Sequence, residues 1–460
     1  MHIQALQLKH TLHFSDIQLQ FNYPQCPVTL ILGNQGTGKT TLLRFSYQAL
    51  TWFAARYRDS RAAGLVMQDQ DIMQNRLQSK IDIRIGFPEE MGSLPESSQS
   101  EPANLQSCSW QIYKTLNSQG LGFSKAETSQ LESMLSLYHK ARLHDPLLGL
   151  PLIAYYPAER FTNEVNLLSK NNPAILQSAH AYEIAAIPFT TFARFFEWFR
   201  EISDIENAQS AKIMDQILAR ALQQPENSRG DELARQIEKA QAHLHAPNLT
   251  ALKQALSLIM PEVSQIYLKY QPKLQLMVTY QQQTFSFQQL PNSIRNWIAL
   301  VGDIVRRLCL LNPNSLFPCQ EGTGVLLIDA IDHQLDQEMA AVILSRLHQA
   351  FPNLQIIATG NRPELLEQAQ GFQCLKLENK QLHPIHLESM KTQFDQIYAE
   401  LELQRNKDIS PEDTLLETVT EPITPLAVLQ MIQQQLNPEQ QQELLALLAQ
   451  EHHPTLPQSL

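Results

Sequence analysis

The sequence has no paired cysteines, no long apolar runs and no excess of positive charge, and each absence narrows what the chain can do. Its five cysteines, Cys26, Cys108, Cys309, Cys319 and Cys374, are odd in number, scattered and free of any CxxC pair. Neither a disulfide framework nor a zinc site is indicated, and a reduced, cytoplasmic setting is expected. No uninterrupted apolar stretch reaches the roughly 18 residues that a membrane span needs, and no charged-then-apolar leader is present, so neither membrane insertion nor secretion is expected. The 46 acidic residues outnumber the 35 basic ones, for a formal charge of −11. DNA therefore gains no support from net charge, although a local basic patch would escape that count. The 14 histidines show no ligand spacing, and the pair His452-His453 reads as solvated. At 460 residues the chain exceeds what one core usually organises, which implies a large interrupted domain or two lobes.

What the sequence does contain is a complete phosphate-binding loop. Gly33-Asn34-Gln35-Gly36-Thr37-Gly38-Lys39-Thr40 follows the apolar run Val28 to Leu32 and precedes a helix-like stretch from Thr41 to Tyr57. Glycines in such a turn let consecutive N–H groups face a phosphate, and the new helix points its positive end the same way. Lys39 can reach the outer phosphates, and the Thr40 hydroxyl can take a Mg²⁺ coordination position. The partner of this motif is the apolar run Val325 to Ile328 ending in Asp329, a buried strand that carries a carboxylate to its C-terminal end, where it can hold the Mg²⁺ water shell beside Thr40. A helix from Gln337 to Ala350 and a strand from Gln355 to Thr359 continue the α/β alternation. ATP and Mg²⁺ are the expected cofactors. The loop touches only phosphates, so it does not itself choose between adenine and guanine.

The remaining segments fall into blocks. His2 to Leu8 and Phe14 to Phe21 alternate as half-buried antiparallel strands do, and Ile81 to Phe87 reads as another strand. Residues 88–107 collect Pro88, Pro95, Pro102 and many serines, which predicts a flexible surface loop. Strands are predicted at Trp110 to Leu116 and Pro151 to Tyr156, with a helix from Ser124 to Leu143 between them. From Thr191 the spacing of Phe192, Phe195, Phe196, Phe199 and Ile202 predicts a helical insertion over 191–262. That aromatic stripe reads as packing against helices, because no basic residues are interleaved to make it a base-stacking platform. Strands at Gln265 to Tyr270, Lys273 to Tyr280 and Thr284 to Phe287 follow, then a helix from Asn292 to Leu311. Residues 1–190 and 263–405 thus form the two parts of the nucleotide-binding domain, 406–423 an acidic linker and 424–460 a tail of two short helices. The tail folds onto its own lobe or docks another subunit; its composition disfavours nucleic acid.

Three stretches carry a family resemblance: Ala299 to Leu308 with Leu311-Asn312-Pro313, Leu327 to Asp332, and Phe351 to Thr359. With the P-loop and its preceding strands, they resemble the ABC-type ATPases of the SMC and RecF group, a set of AAA-family proteins, and in particular the ATPases of bacterial Septu-like and retron-associated phage-defence systems. The resemblance implies an α/β fold: an ABC/SMC-type P-loop domain with N-terminal antiparallel strands, a helical insertion and a C-terminal helical tail. Phe195 to Glu201 and Tyr155 to Arg160 are also similar to family stretches whose roles the sequence does not reveal.

The departures from the family are as informative as the match. Ala330 stands where the family has the glutamate that activates water, and loss of a positioned general base typically costs about 10²- to 10⁴-fold in rate. No catalytic residue is therefore assigned; Asp332 is a weak substitute candidate, with Glu338 or an acid from a partner as alternatives. The signature loop reads Leu290-Pro291-Asn292-Ser293-Ile294, where Pro291 has neither hydroxyl nor N–H to offer. Asn361 replaces a phosphate-sensing histidine, keeping an uncharged donor, and Gln334-Leu335-Asp336-Gln337 departs from a further family motif. Four dispersed changes fit natural selection for binding without turnover better than a single engineered trap. The resulting expectation is an ATP-binding sensor or scaffold with weak or absent hydrolysis, in a homo-dimer, a higher oligomer or a hetero-complex with a nuclease or an intact ATPase; the resemblance implies a role in anti-phage defence. The competing expectation is a slow ATPase whose ATP-driven dimerisation acts on DNA.

Overall fold

The computed structural model describes residues 1–94, 106–160, 176–182, 192–222 and 247–385. The linker and tail expected at 406–423 and 424–460 lie outside them, as does the segment 95–105 within the expected loop. The chain opens with β1 (His2–Thr11) and β2 (Phe14–Gln20), an antiparallel hairpin, and then β3 (Val28–Leu32), buried at every position. After the glycine loop comes α1 (Lys39–Arg58), which buries Leu42, Phe45, Leu50 and Phe53. Next are β4 (Gln78–Gly86), β5 (Ser107–Leu116), β6 (Gly122–Glu127), α2 (Ser129–His144) and β7 (Leu152–Tyr156).

Two of these elements differ from the sequence expectation. The helix expected to begin at Ser124 begins at Ser129, because 122–127 form an edge strand paired with β5 from Leu116↔Gly122 to Gln111↔Glu127. The intervening turn explains this: Asn117 Oδ1 accepts from the N–H groups of Gln119 and Leu121, and Gly120 has φ +77°, a positive value that glycine adopts freely. Within the expected loop, residues 89–91 form a 3₁₀ turn that buries Met91 near α2. One apolar side chain thus anchors the start of a segment whose average composition is polar.

The second half contributes α3 (Ala193–Leu222), α4 (Pro247–Ile259), the three-stranded meander β8 (Val263–Lys269), β9 (Gln275–Tyr280) and β10 (Gln283–Ser286), then α5 (Asn292–Leu311) and α6 (Pro318–Glu321). It closes with β11 (Gly324–Ile328), α7 (Gln337–Ala350), β12 (Leu354–Gly360), β13 (Gln373–Glu378) and β14 (Gln381–Pro384). Asp336 caps α7, its carboxylate accepting from the Met339 N–H at 2.7 Å.

Two sheets frame the site. One is antiparallel, in order β2-β1-β4-β5-β6; the other runs β14-β13-β3-β12-β11-β7 and is parallel except at β14. In the second, β3, β7, β11 and β12 are buried throughout, as strands covered on both faces must be. The sheets are joined by the buried Gln355, whose side chain accepts from Ile3 N–H at 2.7 Å and donates to Ile3 C=O at 2.9 Å. β1 shifts register between Ile3 and Ala5 at this point.

α5 runs through the core and is buried from Asn296 to Leu311. Its charged residues survive burial because Asp303 accepts from Arg306 at 2.9 Å, Arg307 at 2.8 Å and the Tyr156 hydroxyl at 2.9 Å. Burial alone would push the Asp303 carboxyl up, but Arg307 and Arg306 outweigh it and hold the group below its ordinary range. The aromatic stripe of α3 packs as expected. A Cβ on Gly302 of α5 would fall 2.3 Å from the Phe195 ring, and Phe196 meets Phe287 edge-on at 5.1 Å.

Candidate functional site

The phosphate loop joins the C-terminal end of β3 to α1, between neighbours β12 and β13. Gly36 and Gly38 have φ of +76° and +108°, which is why glycine occupies both places. Gly33 is pressed against the next strand: a Cβ there would lie 2.6 Å from the Leu377 carbonyl. Thr37 Oγ1 donates to Asn34 C=O at 2.9 Å, and Lys39 Nζ folds back to donate to the carbonyls of Gly33 at 2.5 Å and Asn34 at 2.8 Å. Burial lowers the Lys39 ammonium from its ordinary value, partly offset by Asp329 and Asp332. A bound polyanion would reverse that cost.

An open cavity of about 310 Å³ brings Gln35, Gly36, Thr37, Gly38, Lys39, Thr40 and Thr41 together with Asp329, Ala330, Thr359 and Asn361. The two motifs, nearly 300 residues apart in sequence, thus share one wall-to-wall space. Asn34 and Gly33 shape the loop without lining that space. Asp329 is 1% exposed; its Oδ1 accepts from Thr359 Oγ1 at 2.5 Å, and its Oδ2 is buried without a hydrogen-bond partner. A buried carboxylate oxygen with no partner is costly. Beside the Thr40 hydroxyl, it fits the oxygen donor set that Mg²⁺ prefers.

Ala330 lines the cavity with φ +44°, and its N–H donates to Thr359 Oγ1 at 2.8 Å. Asp332 does not line the cavity. Its Oδ2 accepts from the N–H groups of Asn361 at 2.7 Å and Arg362 at 2.8 Å, which commits the carboxylate to holding the chain after β12. Glu338, on the first turn of α7, is exposed and also absent from the wall. The stretch Leu290 to Ile294 lies at the N-terminal end of α5, away from this cavity, with Pro291 as the residue before the helix.

Three contributors escaped the sequence reading. His13, in the β1–β2 turn, lines the cavity and packs on Gly38, where a Cβ would come within 2.2 Å of its Nε2. That nitrogen is buried with no partner, and burial, then Lys380, lower the imidazole from its ordinary value. Thr359 stands at the end of a strand and opens the stretch that contains Asn361, with no role assigned to it from the sequence; its hydroxyl joins Asp329 to Ala330. Arg160 stood in a family-like stretch without a role; its guanidinium donates to the carbonyls of Pro157 at 2.8 Å, Asp329 at 2.5 Å and Ala330 at 3.0 Å.

A strand, glycine loop and helix facing a second strand that ends in aspartate define a P-loop ATPase-type, nucleotide-binding protein. A family model described as an AAA domain matches residues 5–264, more than half of the chain, and the chain belongs to that family. It is similar to the retron Ec83 probable ATPase of Escherichia coli, at 27% identity over 390 residues that cover 77% of this chain and 67% of that protein. The retron Vc95 probable ATPase of Vibrio cholerae serotype O1 biovar El Tor is 24% identical over 366 residues, 76% of this chain and 68% of that one. Among solved structures, the Smc head domain with an extended coiled coil bound to the C-terminal domain of ScpA, derived from Pyrococcus furiosus, is similar at a TM-score of 0.44 and 12% identity, covering 86% of this chain and 99% of that one. Among the described residues no helix is long and apolar enough to cross a membrane.

Proposed function

We propose that this chain binds ATP with Mg²⁺ in the P-loop cavity and hydrolyses it weakly or not at all, so that occupancy carries the signal. The observation that supports this reading is the composition of the wall: among the described residues, Asp329 is the one carboxylate lining the cavity, and Ala330 presents a methyl group where a water-activating base would stand. In this reading the loop N–H groups from Gln35 to Thr41 and the Lys39 ammonium bind the phosphates, Gly33 and Asn34 shape the loop, the Asn361 amide hydrogen-bonds the phosphates, and Thr40 and Asp329 hold the metal. Mg²⁺ would neutralise phosphate charge there. Residues 1–190 and 263–405 build the nucleotide-binding domain around the insertion 191–262.

Similarity to retron ATPases supports a place in a multi-protein assembly in the cytoplasm: a sensor or scaffold of anti-phage defence, as a homo-oligomer or with a nuclease or an intact ATPase. The word ATPase in both relatives' names favours hydrolysis, and the second reading is a slow ATPase whose ATP-driven dimerisation would act on DNA. Equilibrium binding of a fluorescent ATP analogue with Mg²⁺, run beside multiple-turnover phosphate release, separates the two. Binding lost in Lys39→Ala, with no Lys39-dependent release with or without DNA, is expected. Sustained Lys39-dependent release by the pure protein would overturn the proposal, and co-purification from the native host identifies the partner.

A further inference from the structure

We infer that Arg160 is a positioning residue for the metal ligand Asp329 and that it acts on the main chain, not on the carboxylate. The inference rests on the nucleotide reading above. The peptide between Asp329 and Ala330 is pinned at both ends: its C=O accepts from Arg160 Nη1 at 2.5 Å, and its N–H donates to Thr359 Oγ1 at 2.8 Å. The next carbonyl, that of Ala330, accepts from Arg160 Nη2 at 3.0 Å. Ala330, at φ +44°, needs such restraint, because a left-handed conformation is unfavourable for an L-residue and persists only where its surroundings impose it. With the peptide plane fixed and Thr359 also holding Oδ1 at 2.5 Å, the direction of the remaining oxygen, Oδ2, is determined.

The fork geometry is specific to arginine. A planar guanidinium can serve two successive carbonyls from separate nitrogens, whereas an ammonium is a point donor on a flexible stem. Arg160 is 8% exposed, and burial lowers it to about 10, so it remains charged at neutral pH. Its own main chain is fixed by α5, since Asn296 Nδ2 donates to the Arg160 carbonyl at 3.2 Å and to Gln334 Oε1 at 2.9 Å. Three segments thus meet behind one carboxylate: the chain that follows β7, the turn after β11 and the first buried residue of α5.

The test uses the full chain with Arg160→Lys and reads affinity for a non-hydrolysable fluorescent ATP analogue, with saturating Mg²⁺ and again in EDTA. Removing a group that orients a metal ligand typically costs about 10- to 100-fold in metal affinity. The Mg²⁺-dependent gain in nucleotide affinity is expected to shrink by at least about tenfold, while affinity in EDTA stays near the native value. Equal losses with and without metal would mean a merely structural role and would overturn the inference. Asn296→Ala, which leaves the guanidinium in place, is expected to reduce the same ratio by a smaller factor, and it decides the matter if Arg160→Lys does not fold. A native protein that binds no nucleotide through Lys39 would sink the nucleotide reading as well; an unchanged ratio in binding-competent variants sinks the Arg160 inference alone.

Discussion

Replacing Ala330 with glutamate adds the one group that the cavity wall lacks. Ala330 already holds φ +44°, so the left-handed cost of roughly 1–2 kcal/mol is present in the native chain and a longer side chain adds little to it. The cavity of about 310 Å³ leaves room beside Asp329 for that side chain. A positioned general base contributes about 10²- to 10⁴-fold. Because Pro291 and Asn361 leave other family groups unrestored, the lower figure is expected, about 10²-fold, or about 2.7 kcal/mol off the barrier. The assay is multiple-turnover phosphate release by Ala330→Glu, with Ala330→Gln as a control of the same shape and Lys39→Ala combined with each to subtract contaminants. Release should rise only in the glutamate variant and only with Lys39 intact. If Ala330→Glu binds the ATP analogue as tightly as the native chain yet releases no more phosphate than Ala330→Gln, position 330 is not the missing base and the reasoning fails.

Gly38→Ala places a Cβ 2.2 Å from His13 Nε2 and 2.5 Å from Phe14 Cζ at φ +108°. A strain of roughly 1–2 kcal/mol should appear as about a 5- to 30-fold loss of ATP-analogue affinity, and native affinity in this variant would contradict the cradle. Asp303→Asn removes the carboxylate between Arg306 and Arg307 and should cost about 3–5 kcal/mol at pH 7 in denaturant unfolding. Because the folded Asp303 carboxyl lies below its unfolded value, its contribution is complete above about pH 4 and is lost as pH falls further. The gap between variant and native stability should therefore narrow on acidification, and a gap that widened would refute the assignment.

Much of the site was legible because its chemistry is local in sequence. Gly33 to Thr41 carry their conformation in their own glycines, and Val325 to Asp329 is a short apolar run with a single acid at its end. The aromatic spacing of α3 likewise announced a buried face. What escaped depends on partners far along the chain. Arg160 meets Asp329 across a separation of 169 residues, and nothing local to Arg160 marks it as a clamp. His13 shares a two-residue turn with Leu12 and carries no motif of its own, and only folding brings it over Gly38. β6 was misread because Gly122 to Glu127 has no strong apolar alternation; its conformation comes from the ladder with β5 and from the Asn117 turn. Asp332 looked free to act as a base until the chain after β12 supplied two N–H donors for its carboxylate.

The close seat of Phe195 on Gly302 brings α3 directly onto the backbone of α5. The ring rests directly on backbone that lacks a Cβ, and any larger residue at 302 would have to separate the two helices. Six residues toward its N-terminus, α5 carries Asn296, which grips the Arg160 main chain. The Phe195–Gly302 contact and the Asn296–Arg160 hydrogen bond thus link α3, through α5, to the turn that carries Asp329 in one unbroken series of contacts.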